Sequence, residues 1–205
     1  MVLIASLIAQ SPHSGLVRVL WQALISGSRL LDEEVRELAG SDASSAIVAT
    51  ARQVADAAHR IVTDSNPIPF GRRKGAVLER LVHDLVSWRA VSIEREVEVE
   101  LLASARCGRP WSNPKELVVP TDPFEAFECK FSPSGLNQDD FNELTDIDEA
   151  AEADGKRGWS TLVVMASDKA LAQARVRHSL ARPLHFAHLG DLVKLRKGPA
   201  QRQLV

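Results

Sequence analysis

The residues best suited to chemistry lie in one short segment, residues 124–131, which reads FEAFECKF. Its aromatic and apolar content is typical of a β-strand. Because side chains alternate between the two faces of a strand, Glu128 and Lys130 share one face, while Phe127 and Cys129 share the other. A carboxylate and an ammonium on one face of an apolar strand are costly to bury without a purpose. Two interpretations follow: part of a catalytic site, or a cross-strand ion pair on an exposed sheet face.

A second carboxylate is predicted to face this pair from the preceding strand, residues 116–119. If residues 121–123 form a three-residue turn, the pairing register places Glu116 opposite Glu128. Two facing carboxylates repel by roughly 0.2–1 kcal/mol, and a divalent cation between them turns that repulsion into a binding site. Oxygen ligands of this kind suit Mg²⁺. Asp122, within the turn, is the alternative first acidic residue.

This arrangement resembles the PD-(D/E)xK, restriction-endonuclease-like nucleases. The matching segments are Pro114-Lys115-Glu116 and, after a turn, Glu128-Cys129-Lys130. The order of the predicted elements over residues 75–193 is also similar to the core of that superfamily. The family usually has Asp at its first acidic position, so the longer Glu116 side chain would alter the metal geometry and could select Mn²⁺ over Mg²⁺.

The resemblance implies a metal-dependent endonuclease that hydrolyses phosphodiester bonds, with DNA favoured over RNA as the substrate. It implies that Glu116 and Glu128 hold Mg²⁺ or Mn²⁺, helped by a main-chain carbonyl near Cys129. Lys130 would orient the attacking water and stabilise the charge that gathers on the phosphate. The family's first helix often adds a carboxylate, and Glu79 occupies a comparable place here, with a solvent-facing helix charge as the other interpretation.

The elements that must position these residues follow from hydrophobic periodicity. Residues 1–66 are predicted to form a small helical region of three short helices, because apolar residues recur there at helical spacing. Two prolines within residues 63–71 then break the helical pattern. Residues 67–205 are predicted to form an α/β nuclease domain, a mixed sheet flanked by helices in the order α-β-β-β-α-β-α-β. The corresponding ranges are 75–88, 93–102, 116–119, 124–131, 138–154, 161–166, 170–180 and 184–189.

Composition narrows the class of protein without naming its partner. The net charge of −2 lacks the positive excess of a pure DNA-binding module, although a nuclease needs basic groups along only one groove. Two cysteines cannot form a disulfide framework, which favours a reducing, cytoplasmic location. The apolar start, residues 1–9, is too short to span a bilayer, so no membrane partner is predicted. Local basic residues that are candidates for nucleic-acid contacts are Arg72, Arg73, Lys74, Lys156 and Arg157.

Two other functional interpretations remain open. The chain could keep the nuclease fold without catalysis and serve as a module that binds nucleic acid or protein. It could also be an unrelated α/β domain in which the Glu128-Cys129-Lys130 pattern is a coincidence. If the nuclease interpretation holds, the N-terminal helices could mediate homodimerisation, bind a protein partner or position DNA. This expectation is an analogy with the superfamily and is not deduced from the residues.

Overall fold

The chain folds into two compact units. The computed structural model describes residues 2–90, 93–97, 115–132, 134, 136–165, 185–187 and 191–199. The first unit consists of Met1–Val86 and Leu189–Arg196, and the second of Ser87–His188 and Lys197–Val205. The division differs from the boundary predicted after residue 66, because the helix that follows the proline-rich break packs against the first helix of the chain and belongs to the helical unit.

The first unit is helical throughout its described residues. A helix over the first ten residues was not among the three predicted in the N-terminal region. The apolar run there is too uniform to show helical periodicity, yet Ile4, Ala5 and Ile8 are fully buried. The elements are α1 (Val2–Gln10), α2 (Ser14–Ser26), α3 (Asp32–Ala39), α4 (Ser45–Thr63), α5 (Phe70–Val86) and a 3₁₀ helix (Leu192–Arg196). No helix in the described ranges is both long and apolar enough to cross a membrane.

Local signals explain where these helices begin, end and cross. The Ser44 hydroxyl accepts a hydrogen bond from the Ile47 amide, which caps α4. Gly27 ends α2 with a φ of 70°, a left-handed conformation that glycine adopts without a steric cost. Gly15 lies where α2 crosses α3, and a Cβ atom there would clash with the backbone carbonyl of Ala39. The crossing therefore depends on glycine.

The core of the first unit forms along the apolar faces of its helices. The inward face predicted for α5 is confirmed: Val77, Leu78, Leu81, Val82, Leu85 and Val86 are buried. The 3₁₀ helix, from the far end of the chain, packs against α5, α2 and α1 and buries Leu192 and Leu195. The core of this unit thus combines two distant parts of the sequence.

The second unit is a mixed α/β structure, as predicted. Its described residues form a five-stranded sheet in the order β1-β2-β3-β4-β5, with the first three strands antiparallel and the last three parallel to one another. The predicted helix at residues 170–180 lies outside the described residues. The described elements are β1 (Glu94–Val97), β2 (Lys115–Val119), β3 (Glu125–Lys130), α6 (Gln138–Ala153), β4 (Thr161–Val164) and β5 (His185–Ala187).

The central strands β3 and β4 are held in place by the burial of their side chains and by close packing against α6. Every residue of β4 is buried, as expected of a continuous apolar strand covered on both faces. The helix packs against β3 and β4. Gly158, just before β4, has no room for a side chain, because a Cβ atom would lie 2.5 Å from the Cα atom of Asp148. The Asp148 carboxylate also accepts a hydrogen bond from the Ser160 amide at 2.8 Å, which ties α6 to the start of β4.

Candidate active site

The register between β2 and β3 is the one predicted from the length of the turn. Leu117 pairs with Phe127, and Val119 with Glu125. Continuing the same register by one residue places the backbone of Glu116, in β2, opposite Glu128. Directly opposed residues of an antiparallel pair are the closest cross-strand neighbours in a sheet. The Glu116 side chain lies outside the described part of the structure, so its predicted role as a metal ligand stays a prediction.

Glu128 and Lys130 form a buried ion pair on β3. The Lys130 ammonium lies 2.8 Å from Glu128 Oε1. The Glu128 side chain is only 9% exposed and that of Lys130 25% exposed, so both charges are largely removed from water. An exposed surface ion pair, the alternative interpretation of these residues, does not fit that burial.

Asp140 completes the cluster from the first turn of α6. Its Oδ1 atom lies 3.1 Å from the Lys130 ammonium. Its Oδ2 atom accepts a hydrogen bond of 2.9 Å from the Asn137 amide, while the Asn137 side chain accepts one from the Asp140 amide. One carboxylate therefore closes the capping box of α6 and also holds Lys130. Asp140 could not be recognised as part of this cluster from the sequence, because helix capping alone explains an acidic residue in the first turn equally well.

The electrostatics of this Glu128–Lys130–Asp140 cluster keep the lysine charged. Burial on its own would lower the pKa of Lys130, but the hydrogen bond and charge of Glu128, and then those of Asp140, outweigh burial and raise its pKa well above the ordinary 10.5. Lys130 is therefore a cation throughout the neutral and moderately alkaline range. It can donate hydrogen bonds and stabilise negative charge, but it cannot accept a proton there.

The donor chemistry of the cluster fits a hard divalent cation. Glu128 and Asp140 bring two negative charges and Lys130 one positive charge, which leaves an excess negative charge before Glu116 is counted. Carboxylate oxygens are the ligands that Mg²⁺ and Mn²⁺ prefer. The side chains that the structure describes do not include that of Glu116. Among those described, no three His, Cys, Asp or Glu side chains lie close enough together to bind a metal ion.

Asp122, the alternative first ligand, is engaged elsewhere. Its Oδ1 atom accepts a hydrogen bond of 3.0 Å from the Arg157 amide and lies 3.3 Å from Arg157 Nε. The hydrogen bonds from Arg157, first from its amide and then from its side chain, lower the pKa of Asp122. Phe124 and Glu128 alone are separated by about 13 Å along the strand, at roughly 3.3 Å per residue. The structure therefore places Asp122 and Glu128 near opposite ends of β3, so that, of the two predicted ligands, Glu116 has the backbone position nearer to Glu128.

Lys156 and Arg157, predicted to contact a phosphate backbone, support the turn between β2 and β3. The Lys156 ammonium donates a hydrogen bond of 3.0 Å to the Pro120 carbonyl and lies 5.7 Å from the centre of the Phe124 ring. Arg157 pairs with Asp122, as described above, although it is exposed. Both cations thus have a structural role that the sequence did not indicate.

The remaining predicted residues belong to the first unit. Glu79 is a half-buried residue of α5, whereas Glu128 lies in the second unit. Arg73 donates hydrogen bonds to the Ile61 and Asp64 carbonyls, so it braces the end of α4. The Lys74 ammonium lies 4.4 Å from the centre of the Phe70 ring. Arg72 is exposed on the first turn of α5.

A second buried ion pair lies on the other face of β3, for which the sequence predicts apolar contacts. Arg89 Nη1 and Nη2 donate to Glu125 Oε1 and Oε2 at 2.6 and 2.7 Å, in a bidentate pair. The Glu125 side chain is only 1% exposed. A glutamate on the apolar face of a strand was the available signal, since a buried carboxylate requires a partner.

Comparison of the chain with known proteins identifies no relative. No protein-family model, curated protein or solved structure matches the chain.

Proposed function

We propose that the chain is a metal-dependent nuclease of the PD-(D/E)xK type, in which the second unit is the restriction-endonuclease-like catalytic core. The observation that carries this proposal is the buried pairing of Glu128 with Lys130 on β3, with Glu116 opposite Glu128 in the neighbouring strand. Two acidic positions and a fixed ammonium at one point of a sheet suit a site that binds a cation and a phosphodiester together. The resemblance of the motif favours DNA as the substrate.

Each residue of the site has a distinct role in this proposal. Glu116 and Glu128 would hold Mg²⁺ or Mn²⁺, which when bound polarises the scissile phosphate and lowers the pKa of a water molecule. Lys130 donates hydrogen bonds to the attacking water and to the phosphate oxygens that gain negative charge. Because its pKa is raised, Lys130 contributes as a cation and not as a general base.

A cleavage assay tests the proposal. Supercoiled, linear, single-stranded and branched DNA, with an RNA duplex for comparison, are incubated with the protein in Mg²⁺, Mn²⁺ or EDTA. We expect cleavage that requires a divalent cation and falls by about 100- to 1,000-fold in Glu128→Gln and in Lys130→Met. The matched controls are Glu149→Gln and Lys197→Met, at exposed positions of the same unit, with circular dichroism to verify folding.

Calorimetric titration with Mn²⁺ separates the two possible first ligands. Glu116→Gln and Glu128→Gln should weaken Mn²⁺ binding, whereas Asp122→Asn should not, since Asp122 is held by Arg157 at the other end of β3. Equal binding by the wild type and the Glu128 variant would refute the proposed metal site.

One observation favours a second candidate, a catalytically inactive module that binds nucleic acid or protein. Lys130 lies between two carboxylates that largely neutralise it, so the cluster also forms a stable link between β3 and α6 without a cation. This candidate predicts no Mn²⁺ binding and no cleavage, together with retention of duplex DNA or of a partner protein. The titration and cleavage assays above therefore distinguish the two functions.

A further inference from the structure

In the first turn of α6, the Asp140 side chain contacts the lysine of the site described above. Asp140 Oδ1 lies 3.1 Å from the Lys130 ammonium, and only a tenth of the Asp140 side chain is exposed. Rotation about four bonds of the Lys130 side chain moves its ammonium, so one carboxylate does not fix where the charge lies. Contacts on two sides, from Glu128 at 2.8 Å and from Asp140, restrict it to one position.

The other oxygen of Asp140 explains why this contact is rigid. Oδ2 accepts the Asn137 amide hydrogen bond of the capping box, so the carboxylate plane is held by the helix itself. The position of Lys130 is thereby linked to the formation of the first turn of α6. We propose that Asp140 is a positioning residue of the nuclease site, which aims the Lys130 ammonium at the phosphate; this inference rests on the function proposed above.

Three substitutions separate positioning from helix capping. Asp140→Asn keeps an oxygen that can accept the Asn137 amide but removes the charge that holds Lys130. Asp140→Glu keeps the charge and places a residue type that closes capping boxes well. Asp139→Asn is the matched control, since Asp139 is an exposed acidic residue in the same helical turn and experiences the same helix dipole.

Steady-state cleavage of a duplex DNA that the wild type cuts gives the first measurement. We expect Asp140→Asn to lower kcat by about 10- to 100-fold with little change in KM, because a displaced catalytic group impairs the reaction more than binding. Asp140→Glu should recover most of that loss, and Asp139→Asn should match the wild type. A kcat for Asp140→Asn within twofold of the Asp139→Asn value would overturn the positioning role.

The ammonium itself gives a second measurement that does not depend on activity. With ¹⁵N-labelled lysine and EDTA present, the Lys130 Nζ resonance should move in Asp140→Asn and stay in place in Asp139→Asn. An unchanged Nζ resonance in the folded Asp140→Asn protein would contradict the contact. If the wild type cuts no nucleic acid, the proposed function and the positioning role both fail; if the wild type and Asp140→Asn cut equally well, only the positioning role fails.

Discussion

The close contact between Gly158 and α6 allows us to predict how strongly the substitution Gly158→Ala destabilises the second unit. In Gly158→Ala the new Cβ atom would lie 2.5 Å from Asp148 Cα and 2.7 Å from both the Cβ atom and the carbonyl oxygen of Asp148. Carbon atoms pack at about 3.5–4.0 Å, so the helix and the strand must separate by about 1 Å or more. Forcing extra volume into a packed interior costs about 1–3 kcal/mol.

The hydrogen bond beside this contact adds to the loss. The Ser160 amide donates to the Asp148 carboxylate at 2.8 Å. If the separation breaks that bond, the buried groups lose roughly another 1–3 kcal/mol. We therefore expect Gly158→Ala to lower the free energy of unfolding of the second unit by about 2–6 kcal/mol in total.

Hydrogen exchange of the amides in α6 and β4 measures this unit separately from the helical one. Gly198→Ala is the control, because a Cβ atom there meets nothing within 4 Å. We expect protection in α6 and β4 to fall in Gly158→Ala and to remain unchanged in Gly198→Ala. If both variants retained wild-type protection, the account of how α6 is held against the sheet would be refuted.

The remaining predictions concern the other unit, the second ion pair and the lysine. Gly15→Ala should destabilise the first unit by about 1–3 kcal/mol in urea denaturation, because the clash with the Ala39 carbonyl outweighs the better helix propensity of alanine. Arg89→Met should cost the second unit about 3–5 kcal/mol by leaving the Glu125 carboxylate buried without its bidentate partner, and adding Glu125→Leu should recover much of that loss in a double-mutant cycle. A group whose pKa is higher in the folded than in the unfolded protein stabilises the fold at any pH below the unfolded-state pKa. That stabilisation is lost only as the pH rises through the folded-state pKa. The stabilisation by Lys130 should therefore persist from pH 7 to about 10. Urea denaturation of the wild type and of Lys130→Met across that range checks this; a difference between them that shrinks between pH 8 and 9 would contradict it.

The register at the candidate site could be predicted because local rules determine it. A three-residue turn fixes which residues of β2 and β3 face each other, and the alternation of side chains assigns Glu128 and Lys130 to one face. Burial of β4 followed in the same way from a continuous apolar run. These inferences need only the sequence between two neighbouring elements.

Asp140 and Glu125 could not be found in that way, because their roles depend on tertiary packing. Nothing within residues 137–140 distinguishes a helix cap that faces solvent from one that lies against a lysine of the sheet. Likewise, the partner of Glu125 is 36 residues away in sequence. The first helix was missed for a related reason, since a short run that is apolar on every side carries no periodic signal.

Because the 3₁₀ helix (Leu192–Arg196) packs in the helical unit, it affects how that unit folds during synthesis and which fragments of the chain can fold alone. In chain order, the segment Ser87–His188 of the second unit is inserted between the two pieces of the first unit, and Lys197–Val205 again belong to the second unit. During synthesis, helices α1 to α5 emerge from the ribosome long before Leu192 and Leu195, which are fully buried among them in the folded chain. We therefore expect a fragment that stops at Val86 to expose an apolar groove and to aggregate, and the same fragment joined by a short linker to residues 189–196 to remain monomeric.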